Sequence, residues 1–375
     1  MTDIASTADT ARRRLADCAA ALWLEAGPGA VSFGQVSART GLQKSLAAYH
    51  FPTVAALRAA AADRVLADFC NRVRIVAEEL AAYPPKEASG ARIWTQLAML
   101  ALGSQRYGLA ILEVVFLALD DPEYRRRIVG LAASLRRIVR CLGEERQPRE
   151  WRTAFALVVG ALLTHAARGH EAYHLFSLDR ELEEAFVCPS LPRHRHQASG
   201  VTAPSSTAQG ITMTPREQIL DAAIDLLADD ALRTMSHRSL ARQAGLSLSA
   251  TTYYFASKTE IFEAALERLI EKAQHALAKS GDAAVPISWE MDDLVKTLTE
   301  FYLEEGQAAT RAHLNIGLLA GRTPSMHAAM EDFYALQIAN FSRLLGEAGA
   351  GGSGDRTAFL YKLISGHLML SLLRM

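Results

Sequence analysis

The tightest limit on this chain is that part of it occurs twice. A shift of 204 residues lays residues 12–58 over residues 216–262 without a gap. Ten of the 47 aligned positions are identical: Arg12/Arg216, Asp17/Asp221, Ala19/Ala223, Leu22/Leu226, Ser32/Ser236, Gly41/Gly245, Leu42/Leu246, Ser45/Ser249, Tyr49/Tyr253 and Phe51/Phe255. Pairs such as Leu15/Ile219, Val36/Leu240 and Leu57/Ile261 keep the positions between them apolar. The period is that of a domain, so the chain of 375 residues should contain one plan used twice.

What the plan is follows from the better-marked copy. From Leu232 to Lys258 there is no Asp or Glu, although the chain holds 41 of them, while Arg233, Arg238, Arg242 and Lys258 all fall inside. An acid-free cationic run suits an anionic phosphate surface. Leu240, Ala241 and Ala244 give one short helical face, Gly245 supplies a residue free to take positive φ, and Ser247 can cap a second helix reaching about Tyr254. Two short helices meeting at a glycine make a helix-turn-helix. Ser249, Thr251, Thr252, Tyr253 and Tyr254 add hydroxyls that suit phosphates and base edges.

Composition sets the surroundings. Half of the residues are hydrophobic, only 7% are aromatic, and Ala and Leu dominate, which favours an all-α protein. The net charge of −1 excludes a globally basic nucleic-acid binder, so any such signal is local. Cys18, Cys70, Cys141 and Cys188 are scattered with no Cys-x-x-Cys pair, as expected of thiols in a reducing cytoplasm. No apolar run long enough for a membrane span is present, and the first residues do not read as a signal peptide.

In order along the chain, the pattern predicts a long helix over 55–82 closed by Pro84 and Pro85, then helices at about 91–103 and 105–119. Asp121-Pro122 opens another to about Leu142, and 149–168 is very apolar. The second half repeats this. Helices are expected at 259–279, 289–304 and 308–320, then from Pro324 to about Leu345, and over 355–374. Residues 189–213, with three prolines and Arg193-His194-Arg195-His196, read as a linker. Its 25 residues would span about 25–30 Å as a flexible coil and up to about 80 Å extended.

Five elements then carry a family resemblance. They are Ile219-Leu220-x-Ala222-Ala223-x-x-Leu226-Leu227, Ser-x-Arg-x-Leu-Ala at 236–241, Gly-Leu-Ser at 245–247, Thr-Thr-Tyr-Tyr-Phe at 251–255 and Ser-Lys at 257–258. Residues 216–262 are similar to the N-terminal domain of TetR-family (tetracycline-repressor-like) transcriptional regulators. One departure is Leu248, where many members carry Lys. The resemblance implies a recognition helix over Ser247–Tyr254, contacts to operator DNA from Arg238, Ser247, Ser249, Thr251, Thr252, Tyr253, Tyr254 and Lys258, and a helical domain holding a small-molecule effector. It further implies a cytoplasmic regulator, a repressor by expectation, with no cofactor, no metal and no catalytic residue.

By the repeat, the chain resembles two such units in tandem. The expected layout is a divergent first head over 1–62, its helical ligand and dimerisation domain over 63–188, the linker, a second head over 214–260 and a second helical domain over 261–375. In the first head the contacts would come from Lys44, Ser45, Tyr49 and His50. That head reads as the weaker copy, because Gly34, Ala47, Ala48 and Val54 stand where the second has Arg238, Thr251, Thr252 and Lys258. Effector-site candidates are Trp289, Phe301, Tyr302, His313, Asn315, Met326, Phe333 and Tyr334 in the second unit, and Trp94, Gln96, Met99, Tyr107, Glu113 and Phe116 in the first. Aromatic and Met residues at helical spacing also describe an ordinary core; His313 and Asn315 are the polar exceptions.

A competing class comes from His170-Glu171-Ala172-Tyr173-His174, which matches the His-Glu-x-x-His pattern of zinc peptidases. It directly follows Gly169 and leads into the linker, where no catalytic pocket is expected. A third reading is a helical binding protein without DNA affinity. For assembly, the family's paired long helices would meet either inside one chain, as a pseudo-dimer, or between two chains as a homodimer.

Overall fold

The computed structural model describes residues 2–82, 95, 99, 105–141, 148–170, 213–228, 236–280, 291–347 and 354–373. Among them the regular structure is helical throughout. The chain forms two compact units. One comprises 1–158, 170–182 and 372–375, and the other 159–169 and 183–371. The linker expected over 189–213 lies outside the described residues except for Met213.

In unit 1, α1 (Thr2–Ala26) leads to α2 (Phe33–Thr40), α3 (Lys44–His50) and the long α4 (Val54–Ala82). The caps explain the short elements. Ser32 accepts the amide of Gln35 to start α2, and Gly41 at φ 71° ends it in the left-handed region. Helix α1 packs along α4, with Leu15, Ala19, Trp23, Val36, Ala47, Phe51 and Leu57 buried between the head helices. Helices α5 (Gln105–Asp120), α6 (Pro122–Cys141) and α7 (Pro148–Ala167) follow, the last passing into the other unit at residue 159. Asp121 accepts the amide of Glu123 to cap α6, as its Asp-Pro start predicts. Of the helix expected at 91–103, Thr95 and Met99 are helical and the rest is outside the described residues.

Unit 2 uses the same head plan. Helices α8 (Pro215–Ala228), α9 (His237–Ala244) and α10 (Leu248–Tyr254) precede the long α11 (Lys258–Ser280). Each bound of α9 and α10, and the start of α11, lies 204 residues after that of α2, α3 and α4. The details repeat with the bounds. Ser236 caps α9 and Gly245 ends it at φ 67°. Arg268 pairs with Asp221 as Arg64 does with Asp17. The guanidinium of Arg216 lies 5.6 Å over Phe255, and that of Arg12 lies 5.6 Å over Phe51. Repetition extends past the heads too: Arg-Thr-Ala-Phe occurs at 152–155 and, 204 residues later, at 356–359.

Two expectations need correction. The helices predicted at 289–304 and 308–320 are one, α12 (Met291–Gly321), running through Gly306. An interior glycine costs only about 1 kcal/mol, and Glu304, Glu305, Gln307 and Ala308 around it are good helix formers. Pro324 opens a single 3₁₀ turn, Pro324–Met326, and α13 (His327–Glu347) begins after it. Helix α14 (Gly354–Leu372) ends the described chain.

One apolar cluster joins the second head to its bundle. It runs from Ile219, Ala223 and Leu227 of α8 through Leu240, Phe255, Ile261 and Leu266 to Ala312, Ile316, Met330 and Phe333. The stretch 159–169 belongs to this unit: Ala167 joins the cluster, and a Cβ on Gly160 would run into the carbonyl of Lys362. Arg168 stacks 3.9 Å over the Tyr334 ring and pairs with Glu331 at 3.0 Å.

The end of α8 is fastened by side chains of α12. The Asn315 amide donates to the Leu227 carbonyl, and Arg311 Nε donates to that of Ala228 at 2.9 Å. Asn315→Leu leaves the first carbonyl without its donor and should cost about 1–3 kcal/mol. Followed by circular dichroism, the Tm should fall by about 2–4 °C for each kcal/mol lost. An unchanged Tm would show that this bond contributes nothing to stability.

Candidate nucleic-acid interface

The reading surface of unit 2 is built on α9 and α10. Gly245 turns the chain between them, with its amide and that of Leu246 bonded back to Arg242 and Ala241. Ser247 starts α10 by accepting the amide of Ala250 at 3.2 Å. Leu240 and Ala241 hold α9 on the core, and Phe255 closes α10 from below. What remains outside is a cationic rim and a recognition face.

The rim consists of Arg238, Arg242 and Lys258, all exposed. On the face, Tyr253 is 84% exposed and Leu248 45%. The other residues expected here differ in what they offer. Thr251 is 0% exposed, and its hydroxyl donates to the Leu248 carbonyl at 2.8 Å, so it faces the core and not DNA. The reason is register: in a seven-residue helix one side must pack, and position 251 is on that side. Thr252 is exposed, yet its hydroxyl donates to the carbonyls of Leu248 and Ser249. Ser249 lies 2.9 Å from Ser247, hydroxyl to hydroxyl, and Ser247 serves as the helix cap. Tyr254 is half-buried against the core and meets Tyr253 edge-on at 5.2 Å.

The corresponding face of α3 is arranged alike. Tyr49 is 80% exposed and sits edge-on to His50 at 5.3 Å. Lys44 and Ser45 are exposed, and His50 is half-buried. Ala47, which stands where the second head has Thr251, is 0% exposed. The exchange of Thr for Ala at this place therefore removes no surface donor, contrary to the expectation that counted it against the first head. Gly34, Ala48 and Val54 remain real differences. Arg39 is tied to Glu25 through both guanidinium nitrogens, and that pairing holds the Glu25 carboxyl below its usual range.

The effector candidates are placed as follows. In unit 2 the His313 ring meets Phe333 edge-on at 4.5 Å, and burial pushes its pKa down to about 4. Asn315 is spent on the Leu227 carbonyl, Tyr334 lies under Arg168, and Met326 and Phe333 are core. In unit 1, Glu113 is buried and accepts from the Trp23 indole at 2.8 Å. Tyr107 donates to Asp68 under the Arg72 guanidinium, and Phe116 packs in the core. Trp94, Gln96 and Trp289, and the side chains of Phe301 and Tyr302, lie outside the described residues, as do Glu171 and His174 of the peptidase-like pattern. Sequence reasoning missed the Arg168–Tyr334–Glu331 contact. It had no signal to offer, since the partners lie 163 and more residues apart.

A capped helix, a left-handed glycine and a second capped helix presenting exposed aromatic and cationic groups define a helix-turn-helix head. Residues 219–265 match the family described as bacterial regulatory proteins, tetR family, and are a TetR-family helix-turn-helix domain. The chain is 25% identical over 134 residues to the HTH-type nicotine-responsive transcriptional repressor HdnoR of Paenarthrobacter nicotinovorans, covering 36% of this chain and 69% of that one. Among solved structures it resembles the multidrug binding protein EbrR complexed with imidazole at 23% identity and a TM-score of 0.34, over 43% of this chain and 86% of that one. A TetR-family member from Streptomyces coelicolor A3 follows at 26% and 0.29, over 36% and 74%. No helix among the described residues is long and apolar enough to cross a membrane.

The His313 environment makes a pH prediction. An ordinary imidazole takes up a proton near pH 6.5 and this one only near 4, so the unfolded chain binds the proton first. The stability due to its neutral form is complete above about pH 6.5 and should be lost as pH falls from there towards about 4. Denaturant midpoints measured across that window should fall less steeply in His313→Leu than in the parent. Parallel curves would place the pH sensitivity elsewhere.

Proposed function

We propose that this chain is a ligand-responsive DNA-binding transcriptional regulator, a repressor, in which two TetR-like units in one polypeptide present two helix-turn-helix heads to one operator. The observation that carries this reading is the coincidence of sequence repeat and element bounds. The short helices of both heads and the starts of both long helices coincide at an offset of 204 residues, with the same caps on α2 and α9 and the same ion pair and ring contact. The TetR-family domain at 219–265 supplies the class, and a repressor that answers to a small molecule stands among the relatives.

The heads act through phosphate and base contacts. Arg238, Lys258 and, in the first head, Lys44 neutralise phosphates, while Tyr253 and Tyr49 reach into the groove. Two heads must meet major grooves one helical turn, about 34–36 Å, apart. A single chain can supply both, with helices α6, α7, α13 and α14 paired as an internal pseudo-dimer. The effector is a small molecule taken by the helical bundle, with His313 in the second unit and Glu113 in the first as the polar groups nearest to hand. The cytoplasm is the compartment this role requires.

The test is a salt-titrated gel shift with DNA flanking the coding region, combined with light scattering. One chain per operator and a single-chain mass are expected. A stable two-chain particle touching DNA only through residues 236–258 would favour the homodimer. Arg238→Ala should weaken binding and lower the salt slope by about one. Tyr253→Ala should also weaken it, whereas Thr251→Ala should lower Tm and leave the affinity of the folded protein unchanged. If Thr251→Ala weakened DNA binding as much as Tyr253→Ala, the assignment of faces would be wrong.

A further inference from the structure

The recognition face of the second head is less polar than its composition. Of its hydroxyls, Thr251 is buried, Thr252 donates back into its own helix, and Ser249 is joined to Ser247. Leu248 and Tyr253 are left as the large groups facing outwards, both among the few large hydrophobic residues that are exposed among the described residues. They lie at i and i+5, about 140° apart around a short helix, so each presents its own exposed side. The same head carries the exposed cations Arg238, Arg242 and Lys258, which suit phosphates.

An apolar group presented to a major groove has one partner among the base edges, the C5-methyl group of thymine. We infer that Leu248 is a specificity-determining residue that reads a thymine methyl in one half of the operator. The inference rests on the DNA-binding role proposed above and names the base chemistry that role would use. The first head holds Lys44 at the equivalent place, exposed and cationic, beside Tyr49. A lysine there bonds phosphate or guanine acceptors and has no use for a methyl group. Methyl dependence should therefore be confined to one half-site.

The experiment uses the full chain. Duplexes are selected by it from a random pool, and each thymidine of the selected site is then replaced singly by deoxyuridine, which removes the methyl and changes nothing else in the pairing. Affinity is read by fluorescence anisotropy. One position, in one half-site only, should lose about fourfold in affinity, the equivalent of one buried CH₂ group. In Leu248→Ala and in Leu248→Lys that position should become indifferent to the replacement, while salt-dependent binding persists. Selected duplexes that bind but show no deoxyuridine effect overturn the inference and leave the DNA-binding role standing. So does an effect of equal size in Leu248→Ala. If no duplex is selected at all, the proposed function itself fails, and this reading with it.

Discussion

The last carbonyls of a helix have no partner within it, and this protein answers that need with side chains from another domain element. Leu227 and Ala228 end α8, the first helix of the second head, and Asn315 and Arg311 of α12 reach their carbonyls. The head is thereby fixed to the bundle at one point, beside the apolar cluster that both share. The first unit has a side-chain pair at the matching place instead. Trp23 stands 204 residues before Leu227, and its indole donates to Glu113. Counting from Pro122 and Pro324, Glu113 is the counterpart of Asn315, 202 residues earlier. Ala110/Ala312, Leu112/Leu314 and Ala118/Ala320 agree at the same offset. Both units thus place a buried polar bond at the same junction, between the head's first helix and the bundle.

That junction also shows where reading a sequence reaches its limit. The turn of the second head was legible because local chemistry writes it: Gly245 as a left-handed stop and Ser247 as a cap. Asn315 in an apolar helix was legible as unusual, but its purpose was not, since a ligand handle and a helix-end donor look the same until the partner is in view. Thr251 misled for a related reason. In Thr251-Thr252-Tyr253-Tyr254 the run of hydroxyls carries no period, so nothing in it marks which residue turns inwards. Gly306 misled in the other direction, because the cost of one glycine is smaller than the packing along a helix as long as α12.

The two heads share a frame and differ in what the frame displays. Arg12 over Phe51 and Arg216 over Phe255 brace the same corner, and Asp17 with Arg64 and Asp221 with Arg268 tie the same two helices. These ion pairs are partly exposed and individually modest in energy. Their value is positional, since each ties the first helix of its head to the long helix that follows the recognition helix. On that common support Lys44 and Leu248 occupy one slot with opposite chemistry, while Tyr49 and Tyr253 keep theirs.

In a regulator assembled from two copies of one gene product, each codon is written into both ends of the target at once, so recognition is bound to stay symmetric. Here the slot at residue 44 and the slot at residue 248 are inherited separately. A substitution in one leaves the other untouched. If both heads serve one operator as proposed, the chain is free to drift one half at a time, and the two arms of its target can drift with it, each following its own helix.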